Sequence, residues 1–349
     1  MMKRKIKELA EKRRHKRREI NPDAPRITND TVAAHREEVL SSARKYVVPR
    51  AQSKHRIVMV TTALVIVTLV AFFTYSTLAL YRFQSDSTFI YRVTQVVPFP
   101  IARTGKTFVS YENYLFELRR YKHYYENQVQ VDFSQEANRD QLNEFKKRAV
   151  QKVVDEVYIK QMAKERGITV SDQEVNDQIA LLRSQNRLGG SDRVFEDVLQ
   201  DYWGWSVEDF KRSLYQELLA QKLIAVLDTE TSARAKAALN ELKAGGDFAE
   251  IAKKYSDDLG SKENGGELGA AISKTDPNLT AQSADVLFKL KPGEFSDIIN
   301  IGTGLEIVKN LETNGDKVKA AHIVFIFQDL SEYLNDLKEK QPARVYIKT

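Results

Sequence analysis

The sequence predicts an α+β protein carried on one long apolar helix. Three observations predict it: a charge-free run from Ile57 to Tyr81, a stretch over residues 138–227 whose apolar residues recur at helical spacing, and a segment over 231–327 in which short helices alternate with glycine turns and strands. A chain of 349 residues has room for two domains plus appendages at roughly 150 residues each.

The apolar run comes first. Ile57–Tyr81 is 25 residues long, bounded by Lys54, His55 and Arg56 before it and Arg82 after it. At ~1.5 Å rise per residue it would reach ~37 Å, enough to cross a ~30 Å hydrocarbon core with some tilt. A cleaved signal peptide has an apolar region of only ~7–15 residues behind a short basic one, whereas here 56 residues precede the run. The pattern fits a signal anchor, residues 57–82. Residues 1–56 carry 17 Lys/Arg against 7 Asp/Glu, leaving 37 against 41 for the rest of the chain. Basic flanks stay in the cytoplasm. The expectation is therefore a single-pass cell-membrane protein, with residues 1–56 as a cytoplasmic tail and the bulk, from residue 83, extracytoplasmic. The KRKIKELAEKRRHKRRE run reads as a topology determinant ahead of a site for nucleic acid or anionic lipid. With the folded part mildly acidic, no nucleic-acid partner is expected. The absence of cysteine excludes disulfide frameworks, thiolate zinc sites and thiol nucleophiles. The five histidines, His15, His35, His55, His123 and His322, lack metal-ligand spacing, so neither metal nor other cofactor is expected.

Beyond the run, strand-like pieces flank Arg103-Thr104-Gly105-Lys106, a hairpin that leads into a helix near Ser110. Leu142, Phe145, Ala149, Val153, Val157, Ile159 and Met162 then form the apolar stripe of a long amphipathic helix. Gly167 stops it. Ser171-Asp-Gln-Glu174 is a capping box that starts the next helix, and Ser206-Val-Glu-Asp209 signals another start, continued through Leu214, Leu218, Leu219, Leu223 and Ile224. Taken alone, each apolar residue here is core. Taken in order, "AVQKVVDEVYIKQMAKERGITVSDQEVNDQI" and "WSVEDFKRSLYQELLAQKLI" after a hairpin and helix resemble the chaperone domain of SurA- and PrsA-type foldases and of trigger factor. The resemblance covers about residues 90–227 and implies an all-α chaperone domain, bounded here as 83–230.

Residues 231–312 read as helix, glycine turn, short helix, Gly-rich loop, short helix, Pro-Gly turn and strand. Gly265, Gly266 and Gly269 lack the pattern of a phosphate-binding loop and are better read as glycines required by backbone conformation. The motifs "LKAGGDFAEIAKKYSDD", "GGELG", "LFKLKPGEFS" and "TGLEIVK" resemble a parvulin-type peptidyl-prolyl isomerase domain, which implies an antiparallel sheet with helices over residues 231–327. Parvulin domains open with a strand carrying "H-I-L-V". Here a helix follows Asp228 directly, and the signature instead appears after the last strand, in Val318–Phe327 with His322. Two explanations stand: a circular permutation, which is preferred, or the truncated start of a second parvulin domain. Asn314-Gly315 is a hairpin signal. A two-residue Asn314-Gly315 loop would set His322 opposite Ile307. A three-residue loop, Thr313 to Gly315 with Gly315 left-handed, would set it opposite Glu306, and is favoured. Residues 328–349 read as a helix, Leu330 to Lys340, and a strand, Ala343 to Lys348, at a sheet edge.

The resemblance implies the site. Asp258 falls where the family has Cys or Asp, and His322 where it has its first-strand histidine. Leu279 and Phe288 align with apolar pocket positions. Glu306 stands in place of a histidine, Ser283 where an aromatic lines the proline pocket, and Ile301 in place of a small polar residue. These departures predict a degraded pocket, and a Glu306–His322 pair could equally be a plain cross-strand ion pair. Three readings follow: an active isomerase acting on unfolded or newly exported polypeptides, a holdase that keeps only the binding surface, and an envelope scaffold.

Overall fold

The structure, a computed structural model, describes residues 27–189 and 191–348. The first 26 residues of the expected basic tail lie outside the described residues. Helix α1, Asn29–Thr77, is 49 residues long and contains the apolar run as far as Thr77. Within it Ile57, Met59, Leu64, Val67 and Val70 are all exposed, and the segment Lys54–Arg82 is long and apolar enough to cross a membrane. One part of the expected span behaves otherwise. The chain divides into compact units after Tyr75, and Ser76, Ala79 and Leu80 are buried in the second unit. Leu78–Arg82 forms a π-helical turn, and its inner residues join the core made by Tyr111, Tyr114 and Val153. Apolar side chains at the end of the run therefore serve protein packing, and Ile57–Tyr75 is the part left facing outward.

The second unit, from Ser76 onward, is mostly helical with two small antiparallel sheets. It continues with α2, Thr88–Val96, strands β1, Pro100–Thr104, and β2, Thr107–Ser110, and helix α3, Tyr111–Asn127, capped by Ser110. The hairpin and helix start are where the sequence places them. Helix α4, Arg139–Glu165, buries Phe145, Ala149, Val153, Val157 and Met162 of the predicted stripe, with Leu142 and Ile159 half-buried against the same core. Helix α5, Asp172–Ser184, opens with the Ser171–Glu174 capping box. Helix α6 spans Asp192–Trp203, and α7, Val207–Leu227, opens with a second box, Ser206–Asp209. In both boxes the serine hydroxyl accepts the N3 amide while the acid accepts the cap amide, so two free helix donors are satisfied at once.

The chain then enters a second lobe. Helix α8, Thr229–Lys243, begins directly after Asp228 with no strand between it and α7, as the sequence predicts. Helix α9, Phe248–Tyr255, strand β3, Ile272–Ser273, helix α10, Ala281–Leu287, and strands β4, Ile299–Asn300, β5, Gly304–Asn314, and β6, Lys317–Ile326, follow. The sheet order is β3-β6-β5-β4, antiparallel throughout. Alternation along the two long strands sorts the side chains. Leu305, Ile307, Ala321, Ile323 and Phe325 pack under α8 and α9, whereas Val308, Val318 and Ala320 pack with Leu279, Ala284 and Leu287 of the α10 side.

The β5–β6 register differs from both expectations. Asn314 pairs with Lys317, so the loop is Gly315-Asp316 with Gly315 left-handed at φ +62°. A bulge between Asn310 and Glu312 then shifts the register once more, and His322 pairs with Val308, not with Glu306 or Ile307. A bulge places two residues against one, which no turn signal at residues 314–315 could reveal. Glu306 pairs with Val324, the residue two beyond His322, so Glu306 and His322 still share a face as diagonal neighbours.

The last residues return to the helical lobe. Helix α11, Leu330–Lys340, matches the expected helix, and Leu334 is buried in the core of α3 and α4. Strand β7 is Ala343–Val345, shorter than expected, and pairs with β1 in the order β2-β1-β7. Beyond it the Tyr346 amide still donates to Ile101 O at 2.9 Å, and Ile347 is buried in the same core. The sheet edge it completes belongs to the hairpin of the helical lobe.

Candidate functional site

Strand β6 carries His322 toward the α10 side of the sheet. The backbone there is gripped by the glycine loop: the His322 amide donates to Gly266 O at 2.8 Å and the Leu268 amide to Ala320 O at 2.9 Å. Gly266 sits at φ +81°, and a Cβ there would lie 2.2 Å from His322 O. Only glycine tolerates that approach, which bears out the reading of this loop as conformational.

Both ring nitrogens of His322 meet carboxylates. Nδ1 lies 2.7 Å from Glu306 Oε1, and Nε2 lies 2.9 Å from Asp258 Oδ2 and 3.0 Å from Ser261 Oγ. A ring that donates from both nitrogens is the imidazolium. Burial pushes its pKa down, but hydrogen bonds and charge from Glu306, then Asp258, more than offset this, and the net shift is upward. Asp258 moves the other way, to about 2, held there first by the Ser261 hydroxyl, then by His322 and the Gly260 amide, against the opposing effect of burial. The side chains of Glu306 and His322 are 5% and 13% exposed, that of Asp258 34%. Of the three, Asp258 is the one that opens to solvent.

The chain of hydrogen bonds runs on behind Glu306. Ser283 Oγ donates to Glu306 Oε2, and the Thr280 hydroxyl lies 2.8 Å from Ser283 Oγ while accepting the Ser283 amide as the α10 cap. Ser283 is fully buried, so in this conformation it supports Glu306 instead of facing a ligand. Leu279 is buried in the neighbouring apolar cluster, and Phe288 is half-buried against it. Ile301, in the turn after β4, enters neither this cluster nor the hydrogen-bond chain. The structure thus brings together His322, Asp258, Glu306 and Ser283, sets Leu279 and Phe288 beside them, and leaves Ile301 apart.

Sequence reasoning missed Ser256, Ser261 and Thr280. Ser256 is buried and its hydroxyl accepts the Val324 and Asp258 amides at 3.2 and 3.3 Å, fixing the α9 exit against β6. The signal for Ser261 was the spacing Asp258-Leu-Gly260-Ser261, because an Asp whose side chain takes the amide two residues on makes a local turn. Asp258 Oδ1 accepts the Gly260 amide at 3.2 Å. The arrangement holds one cation between two anions with a carboxylate at its mouth, and it contains no activated nucleophile. It suits an electrostatic task on a bound group.

Comparison with known proteins agrees with this architecture. Residues 49–224 match the family described as SurA-like N-terminal domain, and residues 223–312 match the PPIC-type PPIase domain. The chain is 36% identical over 113 residues to a chaperone SurA of Methylobacillus flagellatus, covering 31% of this chain and 25% of that one. It is 32% identical over 176 residues to a foldase protein PrsA of Staphylococcus aureus, covering 40% and 52%. It thus spans about a quarter to a half of these curated relatives. A crystal structure of peptidylprolyl isomerase PrsA from Bacillus anthracis is 22% identical, covers 53% of this chain and 84% of that one, and has a TM-score of 0.18, too low to bear on the fold. By the first match, which takes in half of its residues, the chain belongs to the SurA-like family, with a PPIC-type domain following its SurA-like N-terminal domain.

Proposed function

We propose that this protein is a membrane-anchored extracytoplasmic foldase: a peptidyl-prolyl cis-trans isomerase joined to a chaperone domain that receives unfolded, newly exported polypeptide. The observation that carries the proposal is the Asp258–His322–Glu306 chain on the sheet of a PPIC-type domain. The names of the relatives, chaperone SurA and foldase PrsA, support the same substrate class. In this reading the outward-facing residues 57–75 anchor the chain with its basic N-terminal side in the cytoplasm, residues 76–82 lead from the anchor into the protein core, 83–230 form the chaperone domain, 231–327 the isomerase, and 328–349 a C-terminal helix and strand. The isomerase is circularly permuted, its first strand moved behind its last. Two observations support this: α8 follows α7 directly, and the PPIC-type match ends at residue 312, before the strand that supplies His322.

Isomerisation breaks no covalent bond but rotates an amide past ~18–20 kcal/mol. The planar amide places partial negative charge on its carbonyl oxygen, and the twisted amide places less. A carboxylate beside that oxygen destabilises the planar form more than the twisted one, which lowers the barrier. Asp258 fills this role, kept ionised and aimed by Ser261, Gly260 and His322. His322 and Glu306 hold that charge in place, and the half-buried Phe288, backed by Leu279, offers apolar surface to the proline ring.

The test is the cis-to-trans rate of a Xaa-Pro peptide with the full chain in detergent micelles, beside Asp258→Ala and His322→Ala. Catalysis by the wild type, reduced about tenfold or more in both variants, is expected. A second reading, a holdase without catalysis, is favoured by the burial of Ser283 and Glu306, which satisfy each other internally. Suppressed aggregation of an unfolded client by a wild type that leaves the peptide rate unchanged would select it.

A further inference from the structure

The helical lobe touches the sheet lobe beside the proposed site, and the contact is built from side chains whose geometry is fixed locally. Helix α5 ends in a Schellman cap: the Asn186 amide donates to Arg183 O at 2.8 Å and the Arg187 amide to Leu182 O at 2.9 Å, with Asn186 left-handed at φ +55°. Asparagine is among the few residues that accept this conformation. The turn sends Gln185 and Arg187 to the loop that precedes α10.

There the two side chains bind three backbone carbonyls. Arg187 donates through one terminal nitrogen to Leu279 O at 2.5 Å and Asp276 O at 3.1 Å, and through Nε to Gln185 Oε1 at 2.9 Å. Gln185, only 2% exposed, donates its amide to Ala281 O at 2.6 Å. Leu279 and Ala281 are the residues on either side of Thr280. The Thr280 hydroxyl contacts Ser283, Ser283 donates to Glu306, and Glu306 meets His322. A buried glutamine amide and a guanidinium fork therefore meet the backbone at both sides of the residue where the site's hydrogen-bond chain begins.

We propose that Arg187 and Gln185 are positioning residues for the isomerase site: supplied by the helical lobe, they clamp the carbonyls flanking Thr280 and so set the Thr280–Ser283–Glu306 chain that aligns His322 and Asp258. This deepens the isomerase reading and rests on it for the link to catalysis. Its consequence is that the helical lobe acts on the site as well as on clients, because a shift of the α5 cap relaxes the chain at its first link. Arg187 and Gln185 bind only backbone carbonyls and each other, and neither is among the groups that the proposed mechanism sets against the substrate. Its effect should therefore fall on kcat, with KM little changed.

The experiment uses the full chain in detergent micelles with Arg187→Met, Gln185→Ala and Arg187→Lys, and reads three quantities: kcat and KM on a Xaa-Pro peptide, the NMR titration of the His322 ring, and the thermal midpoint. The expected result is a kcat about tenfold lower in Arg187→Met and Gln185→Ala, with the His322 titration moved down toward the ordinary 6.5. Arg187→Lys should recover part of both, since a point-like ammonium can reach one carbonyl but not reproduce the fork. A lower thermal midpoint with unchanged kcat and unchanged His322 titration would overturn the proposal and leave a plain contact between lobes. If the wild type does not catalyse, the isomerase reading fails, and the His322 titration alone decides the clamp: a downward shift in the variants upholds it, an unshifted ring refutes it.

Discussion

His322 decides the electrostatics of the site, because both of its ring nitrogens are committed to carboxylates. Its pKa is raised on folding, so the stability it contributes is fully present below its unfolded value near 6.5 and is lost as pH rises through the higher folded value. Asp258 is lowered to about 2, so its contribution persists above its ordinary value near 3.8 and disappears only as pH falls toward 2. Thermal unfolding should accordingly give a midpoint that is steady between pH 5 and about 6.5 and declines above it. His322→Gln should abolish that decline. Glu306 is 5% exposed in its side chain, and Glu306→Ala leaves the imidazolium half-paired and Ser283 without its acceptor. Denaturant titration should show a loss of about 3–5 kcal/mol, the usual cost of removing one partner of a buried pair. Glu306→Gln, which still accepts from Ser283, should cost less.

At the scale of elements, the β5–β6 hairpin and the C-terminal pair determine how the lobes are built. The bulge at Leu311 shifts the register so that Glu306 and His322 become diagonal neighbours on one face. Residues 328–349 close the helical lobe: Leu334 and Ile347 enter its core, and the Tyr158 hydroxyl donates to Gln341 O at 2.6 Å. Leu334→Ala should destabilise by about 2–5 kcal/mol, as expected for a large-to-small change at a buried site. Hydrogen exchange can assign that loss to a lobe. Faster exchange concentrated in α4 and the β1–β2 hairpin is expected, and equal acceleration in β5 and β6 would contradict the assignment of these residues to the helical lobe.

For the whole molecule, the charge pattern and the apolar run make one prediction. Residues 1–56 are strongly basic and the remainder mildly acidic, so positive flanks should hold the N-terminus in the cytoplasm. The full chain should remain in the membrane pellet after alkaline carbonate extraction. Protease added outside spheroplasts should remove the region from residue 83 onward while sparing an N-terminal epitope. Release into the carbonate supernatant, or protection of the C-terminal region, would defeat the anchored topology.

How much of this was legible in the sequence follows from the range of the interactions. Capping boxes at Ser171 and Ser206, the α4 stripe and the absence of a strand before α8 depend on residues a few positions apart, and the structure has them where the pattern puts them, whereas the hairpin signalled by Asn314-Gly315 forms with its loop one residue further on, at Gly315-Asp316. That His322, Asp258 and Glu306 belong together was also readable, through resemblance to a family. The register was not, because the bulge at Leu311 lies outside the turn residues that signal the hairpin. Ser283 read as a pocket residue and is instead buried beneath Glu306, and the burial of Leu80 in place of lipid contact depends on Tyr111 and Val153, distant in the chain. The sequence by itself determined the helices, their caps and the site's chemical types, since local hydrogen bonds and periodicity carry those. Only the tertiary structure decided which groups of the site face outward, how the C-terminus closes the helical lobe and that Arg187 reaches Leu279, because these contacts join residues that no short-range pattern connects.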